Sequence, residues 1–183
     1  MAAARLAVRY DRPFELLLGL EEAILGPGRT EAGVRADSWA GIAFRVARCA
    51  FVAPREEVRE VLAWPGVSRL PRAQPWLLGL ANVRGQLIAV SDLGRWSGIA
   101  ASPPVNAGRV IVVNHPEIPA GLLIHRVEGF RRFTGEEAVA PPDGIPARMA
   151  PFVGGAFERG GERWTVLGLR ALVASESFLQ AAC

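Results

Sequence analysis

The sequence predicts an all-β protein of two small barrels packed face to face, with short peripheral helices and an N-terminal helix. Three features predict it: apolar residues alternate with a period of two, the apolar segments are short and bounded by Gly and Pro, and one hairpin pattern occurs twice. Two sheets of about five short strands could not bury their apolar faces alone, so each should curl and pack against the other. The seam between them is a candidate binding site.

Residues 1–38 are predicted to form a helical extension and a tether. Asp11 can cap the helix, Pro13 suits its first turn, and the Gly-Pro-Gly run at 26–28 ends it. Apolar residues recur at helical spacing: Leu17, Leu20 and Ile24. A polar stretch then leads to Ser38. Such a helix either docks on the body of the protein or acts as a separate partner-binding peptide.

A half-buried strand is predicted from Trp39, because Ile42, Phe44 and Val46 alternate with Gly, Ala and Arg. The chain then turns into a second strand. Pro54 should end that strand, because proline lacks the N–H donor that a strand ladder requires.

The next part of the chain contains the clearest hairpin. Residues 55–64 combine one helical turn with a strand, and residues 77–90 form two apolar arms joined through Arg84-Gly85. Glycine at such a tip supplies the positive φ that a tight turn needs. Asp92 can cap a short helix after the hairpin, and residues 97–106 are expected to be a connector.

The second half repeats this order. Strands are predicted at 110–113, 122–124 and 127–133, before a long loop at 134–151. The hairpin that follows, residues 154–169, has the same Arg-Gly tip and the same Val-x-x-Leu exit as the first, with one residue added at the turn. An internal duplication of a β unit is the simplest explanation.

These elements define the expected domain organisation. One domain should span residues 39–174, with subdomains at about 39–106 and 107–174, and residues 175–183 should form a C-terminal tail.

Composition excludes several classes of protein. The 183 residues are 50% hydrophobic, which is typical of a globular chain, and Cys49 and Cys183 cannot build a disulfide framework or a metal-ligand spacing. No apolar run approaches about 20 residues, so a cytoplasmic protein that does not span a membrane is expected. All 21 basic residues are arginine and they are scattered, so no basic stripe for nucleic acid is visible.

No catalytic or metal-binding constellation is visible either. His115 and His125 have no Cys, Asp or Glu at ligand or triad spacing, and the Gly-rich hairpin tip lacks the Lys-Ser/Thr end of a phosphate loop. Glu56, Glu57 and Glu60 alternate with arginines, which is typical of a solvated face. We therefore expect a binding module without a cofactor rather than an enzyme.

One stretch resembles a known family. Residues 76–93, WLLGLANVRGQLIAVSDL, look like the central signature of CheW-like domains: apolar-Gly-apolar-x-Asn-apolar-Arg-Gly, then an apolar strand ending in Asp-Leu. Residues 58–61, VREV, are similar to the family's Val-x-Glu-apolar element. The resemblance runs from about Trp39 to Ala174.

The resemblance implies two five-stranded SH3-like barrels and a non-catalytic adaptor between a methyl-accepting chemoreceptor tip and the regulatory domain of a CheA-type histidine kinase. It implies receptor binding by three residues at the first hairpin tip: Asn82, Arg84 and Gly85. It implies kinase or partner contact by three residues of the first barrel: Val58, Glu60 and Gly79. Simple turn formation or core packing remain alternatives for Arg84 and Val58.

The N-terminal extension indicates a subgroup of this family. Residues 13–17, PFELL, ahead of the barrels resemble the PilI-like subgroup, which serves chemosensory systems of type IV pili and twitching motility. Two alternatives remain: a nucleic-acid-binding protein on SH3-like barrels, suggested by a pI near 9.6 and five Trp, and a kinase fragment or scaffold without receptor contact.

Overall fold

A computed structural model describes residues 38–99, 102–104 and 107–181. The predicted N-terminal helix lies outside the described residues. The described residues form eleven strands: β1 (Ser38–Val46), β2 (Cys49–Pro54), β3 (Val58–Leu62), β4 (Leu77–Val83), β5 (Gln86–Asp92), β6 (Arg109–Val113), β7 (Ala120–Ile124), β8 (Arg126–Thr134), β9 (Ala138–Val139), β10 (Val153–Arg159) and β11 (Glu162–Leu167). Three short α-helices, α1 (Leu93–Ser97), α2 (Leu169–Ala174) and α3 (Glu176–Leu179), accompany 3₁₀ turns at Arg55–Glu57, Gly135–Glu137 and Ala150–Phe152.

The strands form two sheets, as the sequence predicts. One sheet has six strands in the order β8-β1-β2-β11-β10-β9, and the other has five in the order β3-β6-β7-β5-β4. The sixth strand of the larger sheet is the two-residue β9, which lies within the segment 134–151 that the sequence predicts to be a loop. Among the described residues, no helix is long and apolar enough to cross a membrane.

The sheets are not divided where the subdomain boundary near residues 106 and 107 was expected. β1 and β2 join the strands of the second half through a parallel pairing of β2 with β11, whereas β6 and β7 join the first half through a parallel pairing of β5 with β7. The five-stranded sheet is thus a continuous insertion between β2 and β8 of the six-stranded sheet. The difference arises because parallel pairing joins segments that are distant in the chain, which local patterns do not reveal.

Three apolar clusters hold the structure together. One lies within the six-stranded sheet around Phe133, Phe157 and Trp164, and one lies within the five-stranded sheet around Ile88 and Val110. The third and largest contains residues of both sheets and of α1, α2 and α3, and therefore lies between the sheets.

The prediction that β1 is half-buried is wrong. Phe44 and Val46 face the cluster between the sheets, but Ala43, on the opposite face, is also fully buried and belongs to the cluster within the six-stranded sheet. A strand in the wall of a small barrel has one face against the barrel interior, and here its other face packs on the second barrel.

The two predicted hairpins have the same geometry. β4–β5 has a register shift after Leu77 and β10–β11 has one after Val153, and the glycines that follow, Gly79 and Gly155, have φ of 139° and 150°. Each hairpin continues into a short helix, and the Asp92 Oδ1 atom accepts a hydrogen bond from the Arg95 N–H at 3.1 Å, as expected of a cap. The repeat in the sequence therefore corresponds to a repeated structural unit. The prediction of a second Arg-Gly tip with one residue added is wrong, because Arg159 lies in β10 and Gly160-Gly161 forms a turn that also has two residues.

The segment expected as a C-terminal tail instead packs against the body as far as it is described. Phe178 of α3 is 5% exposed, and its ring centroid lies 5.4 Å from that of Trp76 and 5.7 Å from that of Trp96. The Ala181 carbonyl accepts a hydrogen bond from the Gln74 N–H at 2.9 Å. The segment thus closes the open end of the cluster between the sheets.

Candidate partner-binding site at the first hairpin

The tip of the β4–β5 hairpin presents an arginine in a backbone conformation that side chains rarely adopt. Arg84 has φ of 52° and Gly85 has φ of 84°, which is the pattern of a two-residue turn that matches the twist of the flanking strands. The Asn82 Oδ1 atom accepts a hydrogen bond from the Gly85 N–H at 2.9 Å. Asn82 and Gly85 thereby fix the turn, and Arg84 occupies its apex with 79% of its side chain exposed.

An ion pair joins this tip to the edge strand β3. An Arg84 guanidinium nitrogen lies 3.1 Å from the Glu60 Oε2 atom, and the Glu60 side chain is only 16% exposed. Arg59 lies 3.8 Å from the other Glu60 oxygen and donates a hydrogen bond to Gln86 at 2.5 Å. Glu60 Oε2 is buried and accepts no hydrogen bond from the described residues, so its charge is balanced through ion pairs alone.

Two apolar side chains are exposed on the strands that carry these groups. Leu87, directly after Gln86, is 57% exposed, and Val61, directly after Glu60, is 36% exposed. We call the set the hairpin-tip surface: Arg59, Glu60, Val61, Arg84, Gln86 and Leu87. It combines an exposed cation with exposed apolar area, which is typical of protein interfaces. The sequence analysis did not single out Leu87, although it lies just beyond the Arg-Gly tip.

The two other predicted contact residues are buried. Val58 is 5% exposed, pairs with Val113 and belongs to the cluster between the sheets. Gly79 is buried, and a Cβ added there would lie 2.1 Å from the Ser68 carbonyl oxygen. The structure brings Glu60 to the hairpin tip and leaves Val58 and Gly79 beneath the surface, where they can act only through packing.

Glu57 was expected on a solvated face and is instead 6% exposed. Its Oε2 atom accepts hydrogen bonds from the N–H groups of Leu169, at 2.5 Å, and Arg170, at 3.1 Å, at the start of α2. Burial raises the pKa of the Glu57 carboxyl, and the two N–H donors oppose that shift. This carboxylate links the connector between the sheets to the helix after β11, and nothing in its local sequence indicated so distant a partner.

The remaining polar features lie away from these residues. The His115 Nδ1 atom accepts hydrogen bonds from the N–H groups of Glu117 and Ile118, at 3.2 and 3.0 Å, as expected of a turn residue. A cavity of about 410 Å³ lies among the β1–β2 turn, residues 142–146 and the start of β11, and no predicted site residue lines it. Within residues 38–99, 102–104 and 107–181, no group of three or more His, Cys, Asp or Glu could hold a metal ion.

Comparison with known proteins agrees with this architecture. The sequence model of the CheW-like domain matches residues 40–177. Protein PilI of Pseudomonas aeruginosa is 37% identical over 175 residues, covering 93% of this chain and 96% of PilI. The chemotaxis protein CheW of Rhizobium meliloti is 28% identical over 102 residues, covering 56% of this chain and 66% of that protein.

A solved structure shares the fold. The crystal structure of the scaffolding protein TtCheW from Thermoanaerobacter tengcongensis superposes with a TM-score of 0.65 at 22% identity, covering 76% of this chain and 94% of TtCheW. At this level of identity the likeness concerns the fold. The match to PilI must include most of residues 1–37, because it covers 93% of the chain, whereas the domain match begins at residue 40.

Proposed function

The chain belongs to the CheW-like family, and from this premise we propose that it is a non-catalytic adaptor that couples a methyl-accepting chemoreceptor to a CheA-type histidine kinase. The 37% identity to PilI over nearly the whole chain supports a place in a chemosensory system that controls type IV pili and twitching motility. Both partners act on the inner side of the membrane, so the adaptor works in the cytoplasm.

The hairpin-tip surface carries the proposal. Arg84 is the exposed member of an ion pair whose other member, Glu60, is largely buried. The pair holds the guanidinium in position while most of the Arg84 side chain stays open to a partner. Its planar fork can donate to acidic side chains or to carbonyl groups at a helix end. Leu87 and Val61 are exposed apolar residues of the two strands, β5 and β3, that carry Gln86 and Glu60. A helical hairpin with acidic and apolar residues, the form of a receptor tip, fits such a surface.

An adaptor acts through geometry. It binds two partners through different residues, so that a change in one partner alters the binding free energy of the other. In the proposed arrangement, Arg84 with Asn82 and Gly85 contacts the receptor, and the β3 edge with Glu60 contacts the homologous kinase domain, with Val58 and Gly79 supporting it from beneath. No covalent bond is made or broken by this chain.

The test is titration of the purified chain against a receptor signalling tip and, separately, against a CheA-type regulatory domain. We expect Arg84→Glu to weaken receptor binding at least about tenfold, the loss typical of an interface arginine worth more than 1.4 kcal/mol. Arg84→Glu should also lower the thermal midpoint by a few degrees, because the largely buried Glu60 loses a cation and gains a like charge. Circular dichroism therefore checks that the variant is folded before it is titrated. A matched control is Arg163→Glu, since Arg163 is 51% exposed and is paired with Glu158 at 2.8 Å on the second hairpin.

The charge-swapped variant Arg84→Glu with Glu60→Arg separates two explanations. It restores an ion pair between β3 and the hairpin with the charges exchanged. Recovery of receptor binding would mean that the ion pair acts only by holding the hairpin in position. Continued loss would support direct contact by Arg84. Equal affinity of wild type and Arg84→Glu for the receptor would refute the assignment, and salt-sensitive binding to DNA or RNA in place of both partners would support the nucleic-acid alternative.

A further inference from the structure

A solvent-exposed patch lies where the described chain begins. In the β1–β8 pairing, Ala40 is opposite Arg132 and Ile42 is opposite Phe130. Paired residues, and residues two apart on a strand, share a face of the sheet. We call these four residues the β1–β8 patch. It lies on the face that leads into the cluster between the sheets, because Ile42 packs against that cluster.

The patch is apolar with a basic edge. Phe130 is 51% exposed, whereas Ala40 and Ile42 are half-buried. The Arg132 guanidinium carbon lies 5.7 Å from the centroid of the Phe130 ring, so the cation stands over the aromatic face. β8 is also an edge strand of its sheet, with β1 as its only strand partner among the described residues. An exposed aromatic ring beside an arginine on an edge strand is suited to bind a complementary segment.

The chain supplies such a segment next to the patch. The stretch predicted as a helix, residues 13–26, contains three acidic residues and no basic one: Glu15, Glu21 and Glu22. Glu21 follows Leu17 by four residues, so on a helix it would border the apolar row of Leu17, Leu20 and Ile24. A helix with apolar residues and an acidic edge complements a patch with an exposed ring and a basic edge.

Chain geometry favours the same pairing. Eleven residues, 27–37, separate the end of this stretch from β1, and they can span at most about 40 Å when extended. Ala40 lies only two residues into β1. A connection of this length gives an effective concentration on the order of 1 mM, so even a weak contact is populated. The match to PilI includes most of this extension although the family domain does not, which indicates that the extension is retained as a part of this kind of protein.

We propose that the N-terminal segment of residues 13–26 docks as an amphipathic helix on the β1–β8 patch, with its apolar row against Phe130 and Ile42 and with Glu21 near Arg132. The docked segment covers an edge strand that would otherwise be open to unrelated strands. This proposal does not depend on the receptor and kinase assignments, since it concerns contacts within one chain.

Amide hydrogen exchange of the full-length protein, followed by mass spectrometry on peptides within residues 13–26, tests it. We expect about tenfold slower exchange in wild type than in Phe130→Ser, the factor given by a contact with a dissociation constant of about 0.1 mM at an effective concentration of about 1 mM. Leu179→Ser is the matched control, because Leu179 is 55% exposed on α3 and lies outside the patch. It should leave the protection unchanged.

Charge reversal tests the predicted contact between Glu21 and Arg132 separately. Arg132→Glu should reduce the protection, and adding Glu21→Arg should restore it. Fast exchange of residues 13–26 in wild type, or equal protection in wild type and Phe130→Ser with both folded by circular dichroism, would overturn the proposal. Protection that increases with protein concentration would also overturn it, because the patch would then be covered by a second copy of the chain.

Discussion

Removal of the Glu57 carboxylate tests the long-range contact that joins the sheet connector to α2. Glu57→Ala deletes the acceptor of two backbone N–H groups, those of Leu169 and Arg170, at a helix start where no nearby side chain caps the helix. The first N–H groups of a helix have no partner within the helix, so both donors lose the partner that the fold provides. Glu56→Ala is the matched control, because Glu56 is the exposed neighbour of the same type.

The magnitude follows from two opposing effects. Loss of a helix cap lowers stability by about 0.5–2 kcal/mol, and hydrogen bonds to a charged acceptor contribute about 1.5–3 kcal/mol. Burial of the carboxylate offsets part of this, as the raised pKa of Glu57 indicates. We expect Glu57→Ala to lower the free energy of unfolding by about 2 kcal/mol, which for a chain of this size is a fall of about 6 °C in Tm. Glu56→Ala should change it by less than about 0.5 kcal/mol.

Urea denaturation followed by tryptophan fluorescence measures these differences, and pH provides a second readout. Because the pKa of Glu57 is raised by burial, the folded state binds its proton more tightly than the unfolded state. Stability relative to Glu57→Gln should therefore fall as pH rises from the ordinary value of a glutamate through the raised folded value. Equal unfolding free energies for Glu57→Ala and Glu56→Ala, or a relative stability that rises with pH, would refute this account of Glu57.

Three further substitutions probe the fold, each by urea or thermal denaturation. Gly79→Ala should lower stability by roughly 3 kcal/mol, because φ is 139° and a Cβ would lie 2.1 Å from a carbonyl oxygen, whereas Gly144→Ala, with φ of 82° and open space around it, should lower it by about 1 kcal/mol. Phe178→Ala should lower stability by about 3 kcal/mol and Leu179→Ala by less than about 1 kcal/mol, and equal effects would mean that the C-terminal segment does not close the core. The Arg159 guanidinium, which donates to Glu137, holds the pKa of the Glu137 carboxyl below its usual range. The stability advantage of wild type over Glu137→Gln should therefore be present at neutral pH and lost as pH falls through that lowered value.

Local structure could be predicted from the sequence because its causes are local. The strand around Phe44, the Arg84-Gly85 tip and the Asp92 cap each depend on residues a few positions apart, and each is present in the structure. The predicted Arg84-Gly85 turn also indicated correctly that Arg84 lies at the tip of the hairpin. The resemblance singles out Glu60, but its ion pair with Arg84 could not be deduced from spacing, because β3 is not a neighbour of β4 or β5 in the sheet.

What could not be predicted depends on contacts between distant segments. The parallel pairing of Phe51 with Thr165 decides that β1 and β2 belong with the last strands, and no short window contains both residues. The same holds for Glu57, whose local pattern of alternating charges is typical of an exposed face. Leu87 is exposed because no other segment of the described chain covers it, and a local pattern of residues cannot show this.

The insertion of one sheet within the other has a consequence for how the chain acquires its structure during synthesis. Every strand of the five-stranded sheet lies between Val58 and Ile124, so that barrel can close once this stretch has left the ribosome. β1 and β2 emerge first, yet β2 must wait for β11 to complete its sheet. Until then its apolar strand has an open edge, and such edges favour pairing with other chains. We expect misassembly of newly made chains to begin at β2, and a greater tendency to aggregate of released chains that end before Glu162, compared with the full-length chain, would reveal it.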